Sequence, residues 1–227
     1  MHMVAIGHRG AAGYEPENTL RSFKKALALR ADMLECDVHL SKDGELIVIH
    51  DGTLDRTTDG RGPVTRYTAA ELRRMDAGEG EYVPTLREVV ALIAKKVPLN
   101  IELKGTGSGA AIARFIAERM KEGWDAEDFI VSSFRRSELE AFRRLNKDVR
   151  IGVLVSGIPG PLIPAAKELG AYSINPYRCF VTRKFVGSAH KAGLKVFSWT
   201  VDEMEDIARM RALGVDGVFS NFPDKVK

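Results

Sequence analysis

Apolar, strand-like runs that each follow a helical pattern, at nearly constant spacing along the chain, predict an α/β fold, and their number predicts a (β/α)8 TIM barrel. Helical patterns close at Gly123, Asn146, Gly170, Gly193 and Gly214, at intervals of 23, 24, 23 and 21 residues. Glycine and asparagine suit these points because they enter the left-handed conformation at low cost, as a helix C-terminus asks. About eight strand–helix units in 227 residues match the size of such a barrel. A doubly wound open sheet is the alternative arrangement of the same units.

Strands are expected at 4–8, 33–38 and 99–104, then at 129–134, 150–155, 172–176, 195–200 and 217–220. The helix between the first two carries Leu20, Phe23 and Leu27 on one face. Helix starts are marked at Thr85–Glu88, Ser137–Glu140 and Asp202–Glu205, each with the pattern of a capping box. Leu86, Val89, Val90 and Ile93 then form an apolar stripe at helical spacing. The rhythm breaks between residues 45 and 83, where "ELIVIHDG", the turn-rich "TLDRTTDGRGPV" and a short helix "TAAELRRM" follow one another. This segment reads as an insertion after the second strand, with Ser41–Gly44 as a hairpin turn. One domain spanning 1–227 is expected, with 45–83 as a small subdomain at the barrel mouth.

Composition narrows the function. With 44% hydrophobic and 29% charged residues the chain belongs among globular proteins, and a formal charge of +3 gives no case for a nucleic-acid partner. Cys36 and Cys179 are too few for a disulfide framework and suit a reducing compartment. The first residues, "MHMVAIGHRG", lack a charged start followed by an apolar stretch. A cytoplasmic protein without stable membrane association is therefore expected. Nothing in the sequence speaks to its oligomeric state.

The stretch "AIGHRGAAGYEPENT" at 5–19 poses the chemical question. Gly7, Gly10 and Gly13 could cradle a dinucleotide, or His8 and Arg9 could be the chemistry. A dinucleotide loop wants G-x-G-x-x-G running straight into a helix. Here the spacing is G-x-x-G-x-x-G, and Pro16, Asn18 and Thr19 delay the helix well past Gly13. Glu35 does stand where a ribose-binding acid would, but the late helix disfavours this reading.

Strand side chains alternate, so "LECDVH" sets Glu35, Asp37 and His39 on one face, and "NIELK" sets Glu102 beside Lys104. In a barrel that face is interior, where charge must be compensated. Three carboxylates from neighbouring strands make a hard, oxygen-rich cluster suited to one divalent cation, Mg²⁺ or Ca²⁺. A structural ion network with Arg9 and Lys104 is the plainer explanation of any single acid among them. His8 and His50 each end a strand-like run next to a charged residue, Arg9 and Asp51. With ordinary pKa values near ~6.5, one imidazole can accept a proton while the other donates. Arg9 and Lys104 supply the positive field a phosphoryl group needs. His190 reads as a surface residue and His39 as a rim residue of open role.

These residues carry a resemblance. The chain resembles the glycerophosphodiester phosphodiesterase family from Val4 to about Asp224. The matching elements, in order, are "HRG" (8–10), "PENT" (16–19), "ECD" (35–37), "SKDG" (41–44) and "HD" (50–51). They continue through "LDRTTDG", "LRRMDAG", "VPTL" (83–86), "IELK" (101–104), "SSF" and "WTVD" (199–202). The resemblance implies a barrel with a small insertion, hydrolysing a small-molecule glycerophosphodiester to an alcohol and glycerol 3-phosphate. It implies that Glu35, Asp37 and Glu102 hold the metal and that His8 and His50 are the acid–base pair. Arg9 and Lys104 would grip the phosphate, Trp199 would wall the glycerol side, and Glu17 and Asp51 would support the site from behind. Two motifs depart from the family pattern: Asp202 stands where many relatives have asparagine and reads as a helix cap, and "SNFPD" varies a motif usually written with Thr and Asp. Rival readings are a lysophospholipase D acting on lysolipids, a phosphosugar isomerase or synthase, and a non-catalytic phosphate-binding barrel. The first lacks an apolar insertion, and the second lacks a glycine-rich phosphate loop near the end of the chain.

Overall fold

A computed structural model describes residues 2–157 and 161–227, and in it eight parallel strands close into a barrel. β1 (Val4–Gly7) and β2 (Met33–Leu40) are joined through α1 (Leu20–Ala28) and pair with each other. β3 (Leu46–Val48) is the one antiparallel strand: it runs back along the outer end of β2 through the hairpin whose turn has Gly44 at φ 83°. α2 (Ala69–Leu72) and α3 (Leu86–Ile93) lead to β4 (Leu99–Leu103), which pairs with the other edge of β2. The ring continues through α4 (Ser108–Lys121), β5 (Phe129–Ser133), α5 (Arg136–Leu145), β6 (Arg150–Val155) and α6 (Leu162–Glu168). It ends with β7 (Ser173–Pro176), α7 (Arg183–Lys191), β8 (Lys195–Ser198), α8 (Met204–Leu213) and β9 (Gly217–Ser220). β9 pairs with β1 over four residues, and that pairing closes the circle.

The alternation of side chains builds two cores. Outward residues such as Leu34, Cys36, Val38, Ile101 and Leu103 pack beneath the helices against Phe23, Val89, Ile112 and Phe142. Inward residues Ile6, Met33, Ile130, Phe197 and Phe219 form an apolar floor inside the barrel. Other inward positions are polar: Asn100, Ser132, Ser173 and Asn175 are all buried. Because parallel strands all end at one face, the residues at those ends converge at the mouth. The insertion has a small core of its own, from Ile47, Ile49, Leu54, Val64, Leu72 and Val83. Among the described residues no helix is long and apolar enough to cross a membrane.

The expected punctuation holds in part. Gly123, Gly170, Gly193 and Gly214 all have positive φ, as the helix ends require. Asn146 does not: it is extended at φ −135°, and its side-chain Oδ1 instead accepts the N–H groups of Asp148 and Val149. The Thr85–Glu88 capping box forms with both of its hydrogen bonds. The one expected at Ser137 does not, because the N-cap of α5 stands two residues earlier, at Arg135. Glu138 turns inward there and accepts the N–H groups of Gly107 and Gly109 at 3.0 and 2.9 Å, so a carboxylate from α5 caps the otherwise uncapped N-terminus of α4. Asp202 is not a cap either, since Glu203 precedes α8 and Asp202 bonds elsewhere.

Thr85 opens the helix that buries Leu86, Val89, Val90 and Ile93, so its cap is tied to the outer core. Thr85→Ala should lower the free energy of unfolding in urea by about 1 kcal/mol, the usual cost of a lost N-cap. An unchanged unfolding midpoint would mean that packing alone fixes the start of α3.

Candidate active site

Glu35 and Asp37 on β2 and Glu102 on β4 project into the mouth from adjacent strands, where Asp37 and Glu102 are register partners. Each offers one carboxylate oxygen, and these oxygens lie within 4.8 Å of one another. Glu35 and Asp37 are almost fully buried. Such crowding cannot stay fully ionised without compensation. Burial, then the negative charges of Asp37 and Glu102, pushes Glu35 well above the carboxylate range. Burial and Asp37 push Glu102 up to about 7. Asp37 goes the other way: burial opposes its charge, but Arg9 and Lys104 outweigh burial and hold it at about 2.

The compensating cations come from the ends of β1 and β4. Lys104 Nζ sits 2.7 Å from Glu102 Oε1 and 3.4 Å from Asp37 Oδ1. Arg9 reaches Asp37 Oδ2 with Nε at 3.2 Å and Glu17 Oε1 with Nη1 at 2.8 Å, while its backbone N–H donates to Glu35 Oε2 at 2.8 Å. This double duty requires a bent backbone. Arg9 has φ 53°, a left-handed value that only glycine adopts freely, and Gly10 follows at φ 87°. A side chain on Gly10 would collide with Ser22, whose Oγ donates to the carbonyl of Arg9 and accepts the N–H of Ala11. Asn18, also left-handed at φ 59°, donates from Nδ2 to Asp37 Oδ2 at 2.9 Å. The glycines of this stretch therefore serve a turn that aims Arg9, and α1 begins seven residues after Gly13, too late to form a dinucleotide loop.

The two imidazoles enter from opposite sides. His8, at the end of β1, has Nδ1 2.8 Å from Asn221 Oδ1, an oxygen that can only accept. Burial and the neighbouring Arg9 lower its pKa to about 4. His50, in the loop after β3, has Nδ1 2.6 Å from Asp51 Oδ1. Its backbone carbonyl is bonded by His39 Nε2 at 3.1 Å, so His39 holds the loop and stands behind the site. Both imidazoles border one cavity enclosing about 440 Å³, together with Arg9, Glu35, Glu102 and Lys104. Trp199 forms part of its wall, donating from Nε1 to the carbonyl of Asn175, and Phe134 stacks edge-on against it at 5.3 Å. His190 lies at the other end of β8 with Asp216, away from the cavity.

The residues expected to form the site, His8, Arg9, Glu17, Glu35, Asp37, His50, Asp51, Glu102, Lys104 and Trp199, thus stand at or behind this cavity, and four more stand with them. Arg56, from "LDRTTDG", donates to both carboxylate oxygens of Glu17 and to Asp51, joining the group behind Arg9 to the group behind His50. Both carboxylates raise the Arg56 pKa, and Arg56 in turn helps hold Asp51 below the usual carboxylate range. Asn18 lies inside "PENT", and Asn221 and Asp202 lie in the two motifs that depart from the family pattern. The motifs marked these positions, but no local periodicity gave them a partner. The acids also pass a chemical test for a cation: hard carboxylate oxygens converge, and the buried Asp37 Oδ1 makes no hydrogen bond.

Comparison with known proteins is consistent along the whole chain. A glycerophosphodiester phosphodiesterase of Caldanaerobacter subterraneus subsp. tengcongensis is 40% identical over 99% of this chain and 96% of its own length. One from Bacillus altitudinis is 37% identical over 97% of this chain and 95% of its own. The solved structure of an Oleispira antarctica phosphodiesterase, in complex with the product sn-glycerol-3-phosphate, superposes with a TM-score of 0.91 at 32% identity, covering 98% of this chain and 94% of that one. The family model for glycerophosphoryl diester phosphodiesterases matches residues 8–225. The chain belongs to the glycerophosphoryl diester phosphodiesterase family and is a phosphodiester hydrolase.

Proposed function

We propose that this enzyme hydrolyses small-molecule glycerophosphodiesters to an alcohol and sn-glycerol 3-phosphate, using His8 and His50 as its acid–base pair and one divalent cation, Mg²⁺ or Ca²⁺, at Glu35, Asp37 and Glu102. The observation that carries this reading is the meeting of two imidazoles, two cations and the acidic cluster around one cavity of about 440 Å³. The cation, when bound, supplies Lewis-acid polarisation of a phosphate oxygen. Arg9 and Lys104 hold the phosphate by charge-assisted hydrogen bonds, and Trp199 presents an apolar wall to the glycerol carbons. One imidazole takes the proton from the attacking oxygen as its bond to phosphorus forms. The other gives a proton to the leaving alcohol as the second phosphorus–oxygen bond breaks. Glu17 steadies Arg9, and Asp51 orients His50. The whole chain serves as one barrel domain in this reading, with 45–83 as a subdomain that brings His50 and Asp51 to the mouth. Its two cysteines are free thiols, which suits a reducing cytoplasm.

The direct test is an assay for glycerol 3-phosphate release from glycerophosphocholine and glycerophosphoethanolamine, with lysolipids run alongside. His8→Ala and His50→Ala should each lose about 10²–10⁴ in kcat, the usual worth of a positioned proton-transfer group, with an unchanged circular dichroism spectrum. Chelation by EDTA should abolish turnover, and Mg²⁺ or Ca²⁺ should restore it. Near-normal turnover by either histidine variant would remove that residue from the mechanism, and faster release from lysolipids would redirect the substrate assignment.

A second test uses protonation. Because burial and mutual repulsion raise the pKa of Glu35 and bring that of Glu102 up to about 7, a cation competes with protons for these carboxylates. Cation affinity should therefore rise as pH increases through about 7, the value for Glu102, and calorimetry in two buffers of different ionisation enthalpy should detect proton release. Affinity independent of pH across that range would place the cation elsewhere.

A further inference from the structure

We infer that Asn221 and Asp202 are positioning residues that fix the tautomer of His8, leaving its Nε2 unprotonated toward the cavity. The inference rests on the proposed role of His8 and deepens it. Asp202, just past β8, is the fixed point. Its Oδ1 accepts the backbone N–H of Asn221 at 2.8 Å and the hydroxyl of Ser220 at 3.0 Å. Its Oδ2 faces Asn221 Nδ2 at 2.7 Å. A carboxylate can only accept, so the amide must present its NH₂ group to Asp202 and its oxygen to His8. That oxygen, 2.8 Å from His8 Nδ1, is likewise only an acceptor, so the ring proton of neutral His8 resides on Nδ1. Two choices normally left open, the amide orientation and the imidazole tautomer, are both decided by one carboxylate two side chains away.

Nε2 of His8 has no hydrogen-bond partner among the described residues, and the ring borders the cavity. It is therefore the nitrogen available to accept a proton from an attacking oxygen. His50 is held differently. Its Nδ1 meets the carboxylate of Asp51, whereas Asn221 offers His8 a neutral amide oxygen. The relay assigns proton acceptance to His8, which leaves proton donation to the other member of the proposed pair, His50, and Asp202 and Asn221 contribute without touching substrate.

The test reads the tautomer directly. In the cation-loaded enzyme, ¹⁵N correlation spectra assigned by comparison with His8→Gln should show His8 protonated at Nδ1 and bare at Nε2. Asn221→Ala should lose that signature and lower kcat by about 10²-fold, the low end of what a positioned base supplies, with KM within about threefold of the parent. The paired exchange Asp202→Asn with Asn221→Asp keeps every hydrogen bond while reversing amide and carboxylate. It should restore the Nδ1–H signature and recover at least tenfold of the activity that Asn221→Ala loses. A parent enzyme with bare Nδ1, an Asn221→Ala variant changed only in KM, or a paired exchange no better than Asn221→Ala would each overturn the inference. A fully active His8→Ala would overturn the catalytic reading of His8 instead, with the tautomer result unaffected, so the two failures are separable.

Discussion

Three carboxylates share a volume in which their oxygens lie within 4.8 Å of one another, and much of the mouth is arranged around that repulsion. A buried, unpaired carboxylate costs several kcal/mol, about 3–5 where one partner of a buried pair is removed. Here the answer comes from three directions: Arg9 and Lys104 approach Asp37, the pKa values of Glu35 and Glu102 are raised, and Asn18 donates to Asp37 Oδ2, the oxygen that also faces Arg9 Nε. The same arrangement explains the backbone. Arg9 and Asn18 both adopt left-handed φ values, at a typical cost of about 1–3 kcal/mol each. Extended backbone at Arg9 could not send the N–H to Glu35 and the guanidinium to Asp37 and Glu17 together. Local strain is accepted because the electrostatic alternative is worse.

The insertion enters this network through His50, Asp51 and Arg56, and Arg56 makes the link. Arg56 grips Glu17 and Asp51, so charges alternate from Arg9 through Glu17 and Arg56 to Asp51, which bonds the His50 ring. Arg56 is about half exposed, and a pair of that kind adds little to stability in water. Its effect is geometric. A planar guanidinium that bonds two carboxylates at once fixes the angle between them more tightly than two separate lysines could. The insertion is otherwise held to the barrel by the β2–β3 hairpin and its own small core, neither of which sets the direction of the His50 ring.

What was legible in the sequence follows from the length of the interactions involved. Glu35, Asp37 and Glu102 could be placed on one face because strand alternation is a two-residue property, and the positive-φ glycines at the helix ends are just as local. The capping patterns at Ser137 and Asp202 failed for the opposite reason. Glu138 and Asp202 had tertiary partners, Gly107 with Gly109 and Asn221 with Ser220, which local spacing does not reveal. His8 and Asn221 are 213 residues apart and meet only because β9 closes on β1. The family motifs could mark such positions as noteworthy. Only closure of the barrel says what they touch.

Closure also decides where charge can reside. The interior holds apolar Ile6, Met33, Ile130, Phe197 and Phe219, the neutral polar Asn100, Ser132, Ser173 and Asn175, and, at the mouth, the acids and cations. Gly152 on β6 makes room for the polar group: a Cβ there would stand 2.8 Å from Ser173 Oγ and 2.9 Å from Asn175 Nδ2. Neutral polar side chains beside the carboxylates soften the change in dielectric that the acids experience, since amide and hydroxyl dipoles can orient toward charge where methyl groups cannot. An apolar residue in place of Asn100 or Ser132, the register partners of Glu35 and Glu102, would set hydrocarbon beside these acids and drive both further toward their neutral forms. The polar group is therefore part of the electrostatics of the mouth, even though none of its side chains carries a charge.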